Sequence, residues 1–145
     1  MFKQILVPVD GSPTAALAID KAIGLAKAFG STVTAIYVID PYPFTGVGTD
    51  YAYGQAQYLT AATAEANEAI KGAKEAFEAA GVPVKTTLIE GHAVYKGILE
   101  TAESCGADLI VMGSHGRRGI EKWMLGSVAQ RVLSHAHVPV LVVRS

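Results

Sequence analysis

Short runs of apolar residues alternate along the chain with longer segments in which apolar residues recur every three or four positions. Four of the runs are nearly continuous and rich in β-branched residues: Ile5–Val9, Thr32–Ile39, Asp108–Met112 and Val138–Val143. Continuous apolar strands are typical of a parallel sheet that helices cover on both faces. Val82–Ile89 is more polar and alternating, which predicts a strand at the edge of the sheet.

Four helices are predicted between these strands. The first begins after Ser12, a good N-cap residue, has Pro13 in its first turn and stops at Gly30. The other three are predicted over about Gln57 to Ala80, about Ala93 to Ser104 and about Gly126 to His135. The regular alternation of strand and helix predicts an α/β fold, an open parallel sheet in one domain spanning residues 1–145.

One long connection lacks a helical or strand period. Asp40 to Gln55 combines prolines and glycines with several aromatic residues, and the pattern predicts an irregular loop. Loops of this length often cover a ligand or contact a partner, and the sequence leaves those two roles open.

Composition excludes several classes of protein. With 50% hydrophobic and 17% charged residues the chain is not disordered, and 12 basic against 13 acidic residues provide no basic surface for nucleic acid. No apolar run approaches the roughly 20 residues of a membrane span. Cys105 is the single cysteine, which excludes an intrachain disulfide. Together with an N-terminus unlike a signal peptide, this predicts a cytoplasmic protein.

The richest candidate chemistry follows the fourth predicted strand. The segment Gly113–Gly119 contains three glycines and two arginines, and Gly126-Ser127 then opens the last helix. Ligands of open α/β sheets bind beyond the carboxyl ends of the strands. Glycines expose backbone N–H groups there, and a helix N-terminus adds unpaired N–H groups and a positive dipole end. The connection is therefore a candidate site for phosphate, although its spacing alone equally suits a simple turn.

The spacing Gly113-x2-Gly116-x9-Gly126-Ser127 resembles the nucleotide motif of the universal stress protein family, in its ATP-binding branch. The first strand with Asp10-Gly11-Ser12, the segment Ala107–Gly116 and the terminal run Val138–Val143 agree with that family, so the resemblance covers essentially the whole chain. It implies a five-stranded parallel sheet in the order 3-2-1-4-5, with a Rossmann-like arrangement of helices on both faces.

The resemblance also implies roles for individual residues. Pro8, Val9 and Asp10 would line the nucleoside end, Val38 would contact adenine, and Met112 with Gly113 would pack on the ribose and base. The phosphates would be held by Gly116, Gly126, Ser127 and Val128, with Arg117 and His115 close enough to touch them. The implied ligand is ATP, with Mg²⁺ as a candidate companion. The last strand, Val140 to Arg144, would pair with a second copy to form a homodimer.

Three functions remain open on the sequence. The first is a nucleotide-binding regulatory module, with at most slow ATP hydrolysis and a protein partner that the sequence does not name. The second is an enzyme acting on a nucleotide or phosphorylated metabolite, with His115 as acid or base and Arg117 stabilising charge. The third is a structural dimer without a ligand. Asp10 is either a turn residue or a site residue. His135 and His137, which have no acidic or cysteine cluster nearby, are interpreted as solvated or capping rather than metal-binding.

Overall fold

Strands and helices alternate along the described part of the chain, which comprises residues 1–40, 49–116 and 125–145 of a computed structural model; the side chains of residues 49–53 are not described. The strands are β1 (Gln4–Pro8), β2 (Thr32–Ile39), β3 (Val84–Glu90), β4 (Leu109–Gly113) and β5 (Val140–Val143). The helices are α1 (Pro13–Phe29), α2 (Thr49–Ala79), α3 (Val94–Ser104) and α4 (Ser127–His135).

The five strands form one parallel sheet in the order β3-β2-β1-β4-β5, which confirms the predicted fold class. β1 is central: it pairs with β2 along its whole length, and its Ile5 and Leu6 lie opposite Leu109 and Ile110 of β4. The chain moves outward from β1 through β2 to β3 and then returns to the other side of β1. The direction of winding therefore reverses between β1 and β4, where open α/β sheets bind their ligands.

Helices cover both faces of the sheet because successive strand residues point to opposite sides. Ile5 and Val7 of β1 pack in one buried layer with α1 and α2, whose largest contribution is the fully buried Phe77. Leu6, between them in the sequence, packs in the second layer with Ile98 of α3 and with α4. Strands buried on both faces explain the nearly continuous apolar runs in the sequence.

α1 begins and ends at the residues that the sequence predicts. The Ser12 hydroxyl accepts a hydrogen bond from the Ala15 N–H at 3.2 Å, and Pro13 occupies the first helical position. Gly30 ends the helix with φ of 66°, a left-handed conformation that glycine adopts without a steric cost. These caps fix the start of α1 directly after β1, beside the point where winding reverses.

α2 begins earlier than the sequence predicts. The prediction of an irregular Asp40 to Gln55 segment is wrong for its second half, since α2 starts at Thr49; residues 41–48 lie outside the described part. Gly54 lies within α2. A glycine in a helix interior costs roughly 1 kcal/mol relative to alanine, and the alanines and glutamines beside Gly54 favour the helix and offset this cost. The Tyr58 hydroxyl donates a 3.1 Å hydrogen bond to the Asp40 carbonyl and ties α2 to the end of β2. Across the described residues, no helix is both long and apolar enough to cross a membrane.

Candidate functional site

A cavity of about 430 Å³ opens at the carboxyl edge of the sheet, a volume within the usual range of small-molecule sites. Ten of the eleven predicted site residues line it. Six come from the strand ends: Pro8, Val9, Asp10, Val38, Met112 and Gly113. Four come from the segment that leads into α4 and from its first turn: Gly116, Gly126, Ser127 and Val128. The eleventh, Arg117, lies outside the described residues.

Hydrogen bonds join the first turn of α1 to the residues after β4. The Thr14 hydroxyl donates to the His115 carbonyl at 2.6 Å and accepts from the His115 N–H at 3.4 Å. The Ser12 hydroxyl, besides capping α1, donates to the same carbonyl at 3.3 Å. Thr14 is buried, so these bonds are shielded from competing water. They hold together two segments that both line the cavity.

Gly113 permits this close approach. A Cβ atom at this position would lie 2.7 Å from the Thr14 carbonyl carbon and 2.9 Å from the Ala15 nitrogen. Both are backbone atoms and cannot rotate away. Gly113 therefore has a packing role against α1 in addition to lining the cavity, a role that the resemblance did not suggest.

Asp10 forms a turn and also lines the cavity. Its Oδ1 accepts a 2.9 Å hydrogen bond from the Ser12 N–H, a turn in which the carboxylate bonds the backbone two residues ahead. Its Oδ2 lies on the side of Gly116, where a Cβ would come within 3.0 Å of it. Asp10 thus shapes the β1–α1 turn and also places a carboxylate oxygen in the cavity wall.

The N-terminus of α4 lies against the backbone that follows β4. The Gly126 N–H donates to the Ser114 carbonyl at 2.7 Å, and a Cβ on Gly126 would lie only 3.1 Å from that oxygen. Gly126 is the N-cap residue and provides no side-chain cap, whereas α1 is capped by Ser12. The N–H groups of the first turn of α4 consequently lack a side-chain partner among the described residues, and Ser127 and Val128 of that turn line the cavity.

Apolar side chains form another part of the wall. Val38 and Met112 come from β2 and β4, and Val94 and Ile98 come from α3. The sequence pattern did not predict any cavity residue in α3. Its apolar period was visible, but periodicity shows only that a helix buries one face and does not show which end of that face borders a cavity.

His115 lines the cavity with one ring nitrogen unpartnered. Its Nδ1 lies 3.0 Å from the hydroxyl of the buried Ser114. Its Nε2 is shielded from solvent and has no hydrogen-bond partner within the described structure. A buried polar atom without a partner is costly, which makes this nitrogen a candidate contact for a ligand.

His135 and His137, interpreted from the sequence as solvated or capping, are not among the residues that line the cavity. The Nδ1 of His135 donates to the Arg131 carbonyl at 2.9 Å in the last turn of α4, a capping contact, and both His135 and His137 are exposed. Where residues are described, no group of three His, Cys, Asp or Glu side chains is arranged to hold a metal ion.

Comparisons with known proteins agree along the whole chain. A model of the universal stress protein family matches residues 1–144. Universal stress protein MJ0531 of Methanocaldococcus jannaschii is 42% identical over 144 residues, covering 99% of this chain and 83% of that protein. The solved structure of the hypothetical protein MJ0577 is 30% identical, with a TM-score of 0.85, and the match covers 100% of this chain and 97% of the other.

Two more distant structures share the fold and contain a nucleotide. A universal stress protein in complex with cAMP is 24% identical with a TM-score of 0.69, covering 99% of this chain and 97% of the other. The universal stress protein of Archaeoglobus fulgidus in complex with dAMP is 22% identical with a TM-score of 0.68, covering 98% of each chain.

We expect Gly113→Ala to lower the free energy of unfolding by about 1–3 kcal/mol, because the added methyl group must displace the backbone of α1. The matched control is Gly24→Ala in the middle of α1, where a Cβ meets nothing within 4 Å. That change should stabilise the protein by roughly 0.5–1 kcal/mol, since alanine favours the helix. Urea denaturation measures both. Equal midpoints for the two variants would contradict the packing role of Gly113.

Proposed function

The chain belongs to the universal stress protein family, and we propose that it is an ATP-binding member that acts as a nucleotide-dependent regulatory module in the stress response, with at most slow hydrolysis. One observation carries the proposal. The glycines and the serine of the motif, which span 15 residues of sequence, line one cavity together with the ends of β1, β2 and β4.

The phosphate chain would lie against the first turn of α4. N–H groups without a side-chain cap and the positive end of the helix dipole favour an anion there. Gly116 and Gly126 leave the backbone accessible, and the exposed Ser127 adds a hydroxyl donor. The unpartnered Nε2 of His115 supports a further contact to the phosphates.

The adenine would lie against the apolar part of the wall. Apolar contact with the base would come from Val38, Val94, Ile98 and Met112, and Asp10 would bond a ribose hydroxyl. The proteins of this fold that contain cAMP and dAMP hold nucleotides with the same base. They share only the fold with this chain, so the proposal rests chiefly on the residues of its own cavity.

A magnesium ion fits the same arrangement. Mg²⁺ is commonly bound by one or two carboxylates together with substrate phosphates, and retains several waters. Asp10 supplies one such carboxylate in the cavity wall, and the phosphates of ATP would supply the other oxygens. The ion would neutralise the repulsion between the Asp10 carboxylate and the phosphates.

The alternative function is that of an enzyme acting on a nucleotide or a phosphorylated metabolite, and the position of His115 in the cavity wall supports this alternative. A histidine with one free nitrogen in a cavity wall has the position of an acid or base. Product formed from ATP by the parent protein, lost in His115→Ala while ATP binding survives, would favour the enzyme. Stoichiometric binding with slow or no turnover in both proteins favours the regulatory module.

We also propose a homodimer formed through Val140 to Arg144. β5 is an edge strand of the sheet, and Leu141 is 40% exposed within it. An edge strand presents unpaired backbone groups, and an apolar residue on it is a liability unless another chain covers it. Pairing with a second copy of β5 would satisfy both.

Purified protein should bind ATP with a stoichiometry of one per chain. The first measurement is denaturation followed by mass identification of any released nucleotide, which also separates ATP, ADP and AMP. The second is calorimetric titration of nucleotide-free protein with each of the three, with and without Mg²⁺. Folded, ligand-free protein that shows no heat or affinity with millimolar adenine nucleotides would refute the proposal.

Ser127→Glu should weaken ATP binding at least about tenfold, because a carboxylate is placed beside the phosphates. Its effect on stability should be neutral or favourable, since an acidic residue in the first turn of a helix suits the dipole. Ser134→Glu, exposed near the other end of α4, is the matched control and should bind ATP as the parent does. Equal affinities for the two variants would mean that the phosphates lie elsewhere.

Leu141→Lys should convert the dimer to a monomer, because a charged residue on an edge strand opposes pairing with another chain. Light scattering after size exclusion should show the mass falling from two chains of 15.1 kDa to one. Leu17→Lys, at a position 37% exposed on α1, is the control and should leave the mass unchanged. A parent protein that is itself monomeric at micromolar concentration would contradict the dimer.

A further inference from the structure

Gly97 of α3 packs closely against the side chain of Val38 of β2. A Cβ on Gly97 would come within 3.0 Å of Val38 Cγ1 and 3.2 Å of Cγ2, closer than side chains normally pack. Gly97 is buried and hydrogen-bonded within the helix: its N–H donates to the Ala93 carbonyl and its carbonyl accepts from the Thr101 hydroxyl. Because glycine destabilises a helix interior relative to alanine, its presence here has a packing explanation.

The same two elements supply most of the apolar side chains named in the cavity wall. Val38 lines it from β2, and Val94 and Ile98 line it from α3, on either side of Gly97 in the sequence. Gly97 itself is not part of the wall. The separation between the β2 and α3 portions of the wall therefore depends on how closely Gly97 lets the helix pack on Val38.

We propose that Gly97 is a specificity-determining positioning residue, which lets α3 pack against the back of Val38 and so gives the apolar end of the cavity the width of a purine. This inference rests on the proposed nucleotide function and adds the determinant of base selection. An added methyl group at position 97 either pushes the Val38 side chain into the cavity or moves α3 away from β2. Each response changes the width where the base would lie.

The phosphate end should be insensitive to the same change. The added methyl group at Gly97 would meet only Val38 at close range. The residues proposed to hold the phosphates belong to a different connection of the sheet, between β4 and α4: Gly116, Gly126 and Ser127. A substitution at Gly97 therefore separates recognition of the base from recognition of the phosphates. A general loss of structure would instead weaken both.

The experiment measures affinities of the full chain for ATP, CTP and inorganic tripolyphosphate. Gly97→Ala should weaken ATP binding about tenfold, the scale of one misplaced methylene in an apolar pocket. Affinity for CTP should fall less, because its pyrimidine is smaller than a purine, so the preference for ATP over CTP should decrease. Tripolyphosphate affinity should stay within about twofold, because the groups proposed to hold phosphate belong to the loop after β4 and the first turn of α4, which do not touch the added methyl group. Gly72→Ala, a helical glycine of α2 with nothing within 4 Å, is the matched control and should bind all three as the parent does.

A compensating substitution guards against a merely destabilised variant. Val38→Ala removes the two methyl groups that clash, so Gly97→Ala should reduce ATP affinity less in the Val38→Ala background than in the parent. Val38→Ile, with Gly97 retained, should also weaken ATP binding. The space between position 38 and Gly97 is already filled, so the larger side chain must extend elsewhere. Thermal unfolding of each variant checks that the protein is folded.

The outcomes distinguish the inference from the proposed function. Parent protein that binds no ATP refutes the function. If the parent protein binds ATP but Gly97→Ala leaves the ATP affinity unchanged, or lowers it equally in the parent and in the Val38→Ala background, the role of Gly97 is overturned and the function stands.

Discussion

The contact between the start of α1 and the residues that follow β4 holds the site together. The Thr14 hydroxyl bonds both backbone groups of His115, and Gly113 has no side chain to keep α1 at a distance. Through this contact the turn after β1 is fixed beside the loop after β4. Asp10 and Gly116, which are 106 positions apart, consequently come within contact distance of one another.

Glycine serves packing as much as ligand access in this protein. Gly97, Gly113 and Gly126 each lie where a Cβ would come within 3.1 Å of another element or loop. In each case the absent side chain brings two elements closer: α3 to β2, β4 to α1, and α4 to the β4 loop. Glycines of the motif therefore have two effects: they let the elements around the cavity pack closely, and they leave backbone N–H groups exposed. For this reason a glycine substitution at the site needs a control that separates folding from binding.

The cavity joins two chemically different regions because two kinds of element meet at the switch point of the sheet. The turn after β1, the loop after β4 and the first turn of α4 supply polar groups and backbone N–H donors. The strand β2 and the helix α3 supply apolar side chains, which the alternation of the strand and the period of the helix direct toward the second core layer. A ligand with an apolar ring at one end and an anionic tail at the other matches that division.

Local patterns in the sequence are enough to predict the order of the elements, the two-sided burial of the sheet, the caps of α1 and the glycine–serine segment before α4. These are local properties, set by periodicity, by capping chemistry and by spacing within a few turns of chain. Other features are visible only in the tertiary structure. They are the position of Val94 and Ile98 beside the cavity, the hydrogen bonds between Thr14 and the His115 backbone, and the close packing at Gly97 and Gly113. These are contacts between residues distant in the chain, and apolar periodicity states that a face is buried without stating what it is buried against. The Tyr58 hydrogen bond to the Asp40 carbonyl, which ties α2 to the end of β2, likewise joins residues that no local pattern relates.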